Sequence, residues 1–215
     1  MEKIKEIYLL GVGHNTPVFI DLAEHCGYTV AGLYHYNDER TGEVDHGFKI
    51  LGSFSDLLRS DTLKGMNFLL TMGDIAIRAE MSDKIRKKDG SLPTLIHPTA
   101  IISRFARIAN EGVCVSAFTY IQADSSIGND TVILSGVNIS HNNTIGSGCF
   151  IAGGSTVGAF TTIGEGVFIG QGVLTISAKV KNIGDYAFIG AGSLVTKSIE
   201  PHDIVAGRPA KSIKK

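Results

Sequence analysis

Tryptophan is absent from the 215 residues, proline occurs five times and cysteine three. The cysteines (Cys26, Cys114 and Cys149) form an odd set without metal-ligand spacing. Neither a disulfide framework nor a zinc site is therefore expected, and the thiols read as reduced, small core residues. Charge of one sign is also missing. Twenty Lys and Arg against 21 Asp and Glu leave a formal charge of −1. No basic field points to nucleic acid and no acidic tail repels it. No apolar run approaches the ~18 residues of a membrane span, and the start MEKIKEIYLLGVG lacks a signal-peptide pattern. A soluble, cytoplasmic protein without a membrane partner is expected.

What the chain has in excess is glycine, with 26 residues, most of them after Gly112. In the same region Val115, Ile121, Ile127, Ile133, Ile139, Ile145, Ile151, Val157, Ile163 and Ile169 fall at an unbroken spacing of six. Ile96, Ile102 and Ile108 run one residue out of phase, and Ile183, Ile189 and Val195 resume after a slip around Thr175–Val180. Small residues recur four places after the aliphatics, as in Thr119, Ser125, Thr131, Asn143, Cys149, Ser155 and Thr161. Neither a helical period nor plain strand alternation has a repeat of six. Short strands bent at regular corners do, with three hexads making a triangular coil of about 18 residues and coils stacking about 4.8 Å apart. The β-branched aliphatics point inward, and glycine and small residues turn the corners. The region from Ile96 to Val195 is thus a parallel β-helix, with the chain leaving it at Glu200-Pro201.

The first half alternates strand and helix signals. Lys5–Leu10, Thr29–Tyr34 and Asn67–Thr71 read as strands. Thr16–Cys26, Phe54–Ser60 and Ile75–Lys88 read as helices, the last with its cations late, as the helix dipole prefers. Asp38–Gly47 reads as a polar loop. Such alternation implies a small parallel α/β domain. Gly90–Pro98 is the natural junction, and the domains are placed at 1–92 and 93–215.

His141 stands two places after Ile139, so it should lie at a corner and face outward. It is the only histidine between Pro98 and Pro201. An imidazole titrating near neutrality suits the removal of a proton from an attacking amine or hydroxyl. In the first half, Gly11-Val12-Gly13-His14 joins a strand to a helix and offers backbone N–H groups and a helix dipole to a phosphate. It lacks the full dinucleotide fingerprint, so NAD is not expected.

These residues, together with Met72-Gly73-Asp74 and Arg78, Leu95-Ile96-His97-Pro98, Ile189-Gly190-Ala191-Gly192 and the tail Gly207–Lys211, resemble the hexapeptide-repeat sugar acetyltransferases. That family includes sialic acid O-acetyltransferases and UDP-amino-sugar and GDP-perosamine N-acetyltransferases. The resemblance implies a Rossmann-like nucleotide-sugar-binding domain followed by a left-handed parallel β-helix. It also implies a homotrimer with sites at subunit interfaces and acetyl-CoA as co-substrate, with no metal. His141 then matches the general base, with Asn142 where the family usually has a carboxylate. Phe150 stands where several relatives have a second histidine. Ala159, one coil along, matches the backbone N–H that stabilises the tetrahedral intermediate. Gly170, Gln171, Gly190 and Ala191 match the pantetheine groove, and Lys197, Arg208 and Lys211 are cations for its phosphates. The substrate side falls to Gly11, Gly13, His14, Gly73 and Asp74, with Tyr34, His35 and Tyr36 in place of an acidic pair. An aromatic cluster there suits a stacked base or a plain surface patch. The expected function is acetyl transfer to an amino or hydroxyl group of a sugar, nucleotide-linked or a free sialic acid. Two other functions fit the fold. One is an inactive scaffold. The other is a γ-carbonic-anhydrase-like hydratase, which needs three converging histidines.

Overall fold

The computed structural model describes residues 5–213, which divide into two compact units meeting between Leu95 and Ile96. The first unit is an α/β sheet in the order β3-β4-β2-β1-β5. Its strands are β1 (Lys5–Leu10), β2 (Tyr28–His35), β3 (Val44–Asp45), β4 (Phe48–Ser53) and β5 (Phe68–Leu70). All neighbours run parallel except β3, which forms a hairpin with β4. Between β1 and β2 lies α1 (Thr16–His25), which buries Phe19, Ile20, Leu22 and Ala23. The short α2 (Phe54–Leu58) starts from a capping box. The Ser53 hydroxyl accepts the Asp56 N–H, and the Asp56 carboxylate accepts the Ser53 N–H. Helix α3 (Ile75–Arg86) is capped by Asp74 and carries Lys84 and Arg86 in its last turn.

Strand β4 departs from the sequence reading, which placed a loop before it and no strand at Phe48–Ser53. Its alternation is weak. Ile50, Gly52 and Ser53 are buried while Leu51 stays 39% exposed, so only one large apolar side chain marks the inner face.

The second unit is a three-sided parallel β-helix. Two-residue strands pair coil on coil in three sheets. Ile121, Ile139 and Val157 stack on one side, Ile127, Ile145 and Ile163 on the next, and Ile133, Ile151 and Ile169 on the third. All are buried in a single apolar core. The steps are 18 residues over these coils, then grow to 20 where Ile163 pairs with Ile183, Ile169 with Ile189 and Thr175 with Val195. This is the slip seen in the sequence, spread over one whole coil. The chain also continues past the expected exit. Ile204–Gly207 adds another parallel strand on Phe188–Ile189, and Ala210–Ser212 folds back antiparallel to it.

Two positions after each aliphatic explain the corners. The residue three places on takes a left-handed backbone, whether Gly136, Gly148 and Gly154 or Phe118, Asp124, Asp130, Asn142 and Phe160. The small residue four places on points inward as a second core layer. Its hydroxyl bridges coils: Thr131 Oγ1 donates to Gly146 O at 2.9 Å and accepts from Cys149 N–H at 3.1 Å. Ser125 and Ser155 repeat the pattern. Corner amides that the strands leave unpaired are satisfied in this way. Cys149 takes such a position and donates to Gly164 O, and burial pushes its thiol up to about 11. Cys114 is equally buried, whereas Cys26 is half-buried at the end of α1.

Candidate active site

The coil register sets Ala123, His141, Ala159, Ser177 and Lys197 in one column, each two places past an inward residue of the same sheet. His141 is exposed. Its Nδ1 lies 2.8 Å from Asn142 Oδ1. An amide oxygen can only accept, so in the neutral imidazole Nδ1 carries the proton and the lone pair is on Nε2. One coil along, Phe160 meets the imidazole edge-on, with ring centroids 5.1 Å apart and planes at 89°. The amide and the phenyl ring thus fix the imidazole from two directions.

Ala159 sits one coil beyond His141, where the resemblance places it. Its N–H, however, donates to Ser177 Oγ at 3.0 Å, and Ala159 itself is only 4% exposed. The backbone donor assigned to the intermediate is therefore already engaged.

Gly170, Gln171, Gly190 and Ala191 follow Ile169 and Ile189 and line a different corner of the coil. Gln171 and Ala191 are exposed there. Arg208 reaches the same edge by donating to Gly192 O at 3.1 Å. Lys211 is exposed on the terminal antiparallel strand, opposite Ala206. Lys197 stands apart from these two cations, in the His141 column. Within one chain His141 and the expected pantetheine residues lie on separate edges. Phe150 belongs to neither edge. It stacks on Phe168 at 5.5 Å, which stacks on Phe188 at 4.6 Å, an aromatic ladder on the outer face of the third sheet.

In the first unit a cavity of about 370 Å³ brings together Gly11, Gly13, His14 and Gly73. Gly11 has φ 104°, and a Cβ there would meet Thr71 Oγ1 at 2.8 Å. Thr16 Oγ1 accepts the Gly13 N–H at 2.8 Å, so one amide of the turn is already paired. The aromatic walls are Tyr36 and Phe54. Tyr34 and His35 do not line the cavity. His35 is buried, with Nδ1 2.7 Å from Asn37 Oδ1, and Tyr34 packs against Tyr8. Burial pushes the Tyr34 phenol up. Asp74 caps α3 through Ile77 N–H and is likewise outside the lining. Arg78, buried, donates to Leu70 O at 2.7 Å at the end of β5.

No protein-family model and no curated protein matches the chain. Solved structures do. The GDP-perosamine N-acetyltransferase PerB of Caulobacter crescentus, in complex with CoA and GDP-perosamine, is 28% identical with a TM-score of 0.87, over 99% of each chain. The acetyltransferase domain of PglB from Neisseria gonorrhoeae, in complex with acetyl coenzyme A, is 26% identical at 0.86, over 98% of this chain and 100% of that one. Over its whole length the chain is a structural relative of the hexapeptide-repeat sugar acetyltransferases. WeeI of Acinetobacter baumannii, 18% identical at 0.83 over 97% of this chain and 100% of its own, shares the fold. The likenesses to PerB and to the PglB domain support an acyltransferase enzyme. Among the described residues no helix is long and apolar enough to cross a membrane.

Of the aromatic cluster Tyr34–Tyr36 only Tyr36 lines the cavity, and sequence reasoning missed Phe54, Phe160 and Ser177. Phe54 is an ordinary aromatic in sequence, and the cavity alone marks it. Ser177 is hidden by the slip, because its register with Ala159 appears only once Thr156 is seen to pair with Leu174.

Proposed function

We propose that the chain transfers the acetyl group of acetyl-CoA to an amino group of a nucleotide-linked sugar, with His141 as general base. The observation that carries this reading is the exposed imidazole held by Asn142 and Phe160 with Nε2 free. Structural relatives that handle CoA, acetyl-CoA and GDP-perosamine support the substrate classes. The β-helix is read as left-handed and the first unit as Rossmann-like, in keeping with those relatives.

The residues present fit both substrates. The cavity at Gly11–His14 stands at the start of α1, whose dipole favours a diphosphate, and Tyr36 and Phe54 offer faces to a base. The edge formed by Gln171 and Ala191 is open and ends at the exposed cations Arg208 and Lys211, suited to the phosphates of CoA. That edge and the His141 edge come together only if neighbouring chains share a site. A homotrimer follows as part of the reading.

In the reaction, the amine nitrogen attacks the thioester carbon and a C–N bond forms. The carbonyl electron pair moves onto oxygen, then returns as the C–S bond breaks. His141 Nε2 takes the amine proton and passes it to the departing sulfur. The products are the acetamido sugar and CoA thiol. Thiol release from acetyl-CoA, measured with UDP-, GDP- and dTDP-amino sugars, tests this. One acceptor should give release, and His141→Ala should lower kcat by about 10²- to 10⁴-fold. An unchanged rate in that variant, or no release with any acceptor, overturns the reading.

A further inference from the structure

We propose that Ser177, rather than the Ala159 backbone, presents the hydrogen-bond donor to the carbonyl oxygen of the transferred acetyl group. The inference rests on the acetyl-transfer reading above. It starts from the corner one coil beyond His141, where the segment Ile176–Ala178 lies in the same 18-residue register that pairs Thr156 with Leu174 and is tied to Ala159 at two points. The Ala159 N–H donates to Ser177 Oγ at 3.0 Å, and the Ala178 N–H donates back to Ala159 O at 3.0 Å. The preceding amide, Gly158 N–H, is capped as well, by Thr175 Oγ1 at 2.8 Å.

Gly158 is what lets the segment seat. A Cβ there would meet Ser177 N at 2.5 Å and Thr175 O at 2.6 Å. With both amides of this corner engaged, no backbone N–H at 158 or 159 remains to meet an oxyanion. Ser177 is exposed and sits in the His141 column, two coils along. Its oxygen accepts from Ala159, and its own proton is therefore directed elsewhere. A hydroxyl that accepts one hydrogen bond is a stronger donor for the next, because the chain of bonds polarises it. The donor is thus moved outward by one side chain, from the amide to the hydroxyl.

In the transfer step the Ser177 O–H donates to the carbonyl oxygen as the C–N bond forms and negative charge builds there. It keeps its proton throughout. When the C–S bond breaks and the carbonyl is restored, the hydrogen bond weakens, and His141 still carries the amine proton to sulfur. The hydroxyl stabilises the transition state more than the bound thioester, so its loss should appear in kcat rather than in KM.

The test compares Ser177→Thr with Ser177→Val, which share a shape and differ only by the hydroxyl, alongside Ser177→Ala. Steady-state thiol release is measured for each with the acceptor that serves the wild type. Ser177→Thr should keep kcat. Ser177→Val and Ser177→Ala should lose about 10²-fold in kcat, the scale of one oxyanion donor, with KM for acetyl-CoA unchanged. If Ser177→Ala matches or exceeds the wild type, the freed Ala159 amide suffices and the serine has no such role. Equal rates for the Thr and Val variants overturn it too. A wild type that releases thiol with no acceptor instead brings down the acetyl-transfer reading, and this inference with it.

Discussion

Asn142 answers two demands at one position. Its backbone lies at φ 58°, in the left-handed region that the central corners of the coil take, and its amide oxygen faces His141 Nδ1. Asp124 takes the same conformation one coil below, and asparagine and aspartate tolerate it through local hydrogen bonds. Two substitutions separate the demands. Asn142→Gly keeps the backbone and removes the acceptor. Its urea midpoint should stay near the wild type, while kcat falls about tenfold as the imidazole loses its orientation. Asn142→Val forces a β-branched residue into the left-handed region and should cost about 1–2 kcal/mol of stability in the same urea titration. Equal kcat for Asn142→Gly and wild type would show that Phe160 alone orients the ring. His141 was legible from the sequence because its distance from Ile139 fixes it at a corner. Neither Phe160 nor Ser177 was, since each acts from another coil.

Along the hexad coils the strands are two residues long, too short to hold a register by their own ladder. The inward hydroxyls add to it. Thr131 ties Cys149 N–H to Gly146 O across one coil step, the first bond buried and the second part-buried. Thr131→Val keeps the shape and leaves one amide and one carbonyl without that partner. The loss should be about 1–3 kcal/mol by urea unfolding followed by circular dichroism. A change below about 0.5 kcal/mol would mean that the aliphatic stack holds the register alone. The array of elements was largely readable in advance, because a period of six aliphatics has one physical solution. β1 was also readable, as a continuous apolar run. Strand β4, paired between β3 and β2, was not, because Gly52 and the outward Leu51 break its alternation. The final parallel strand was hidden for a related reason, since the last step shortens to 16 residues between Phe188 and Ile204.

At the scale of the whole molecule, the proposed reaction divides its two halves between two edges of one β-helix. His141 and Ser177 rise along one corner column, while Gln171 and Ala191 line another. The inward core between them is packed with Ile and Val, so the edges cannot approach each other within a chain. In the proposed trimer, each interface pairs the His141 edge of one chain with the Ala191 edge of the next. Mixing inactive variants decides the matter. His141→Ala lacks the base, and Ala191→Trp fills the exposed groove corner without touching the core. Each should be inactive alone. Co-expressed in equal amounts, they should form mixed trimers in which about a quarter of the interfaces join an intact histidine to an intact groove, the random expectation for a closed ring. Thiol release should then recover to about a quarter of the wild-type rate, with the mass of a trimer by sedimentation. If the site lay within a single chain, no pairing could rebuild it and the mixture would stay as inactive as its parts.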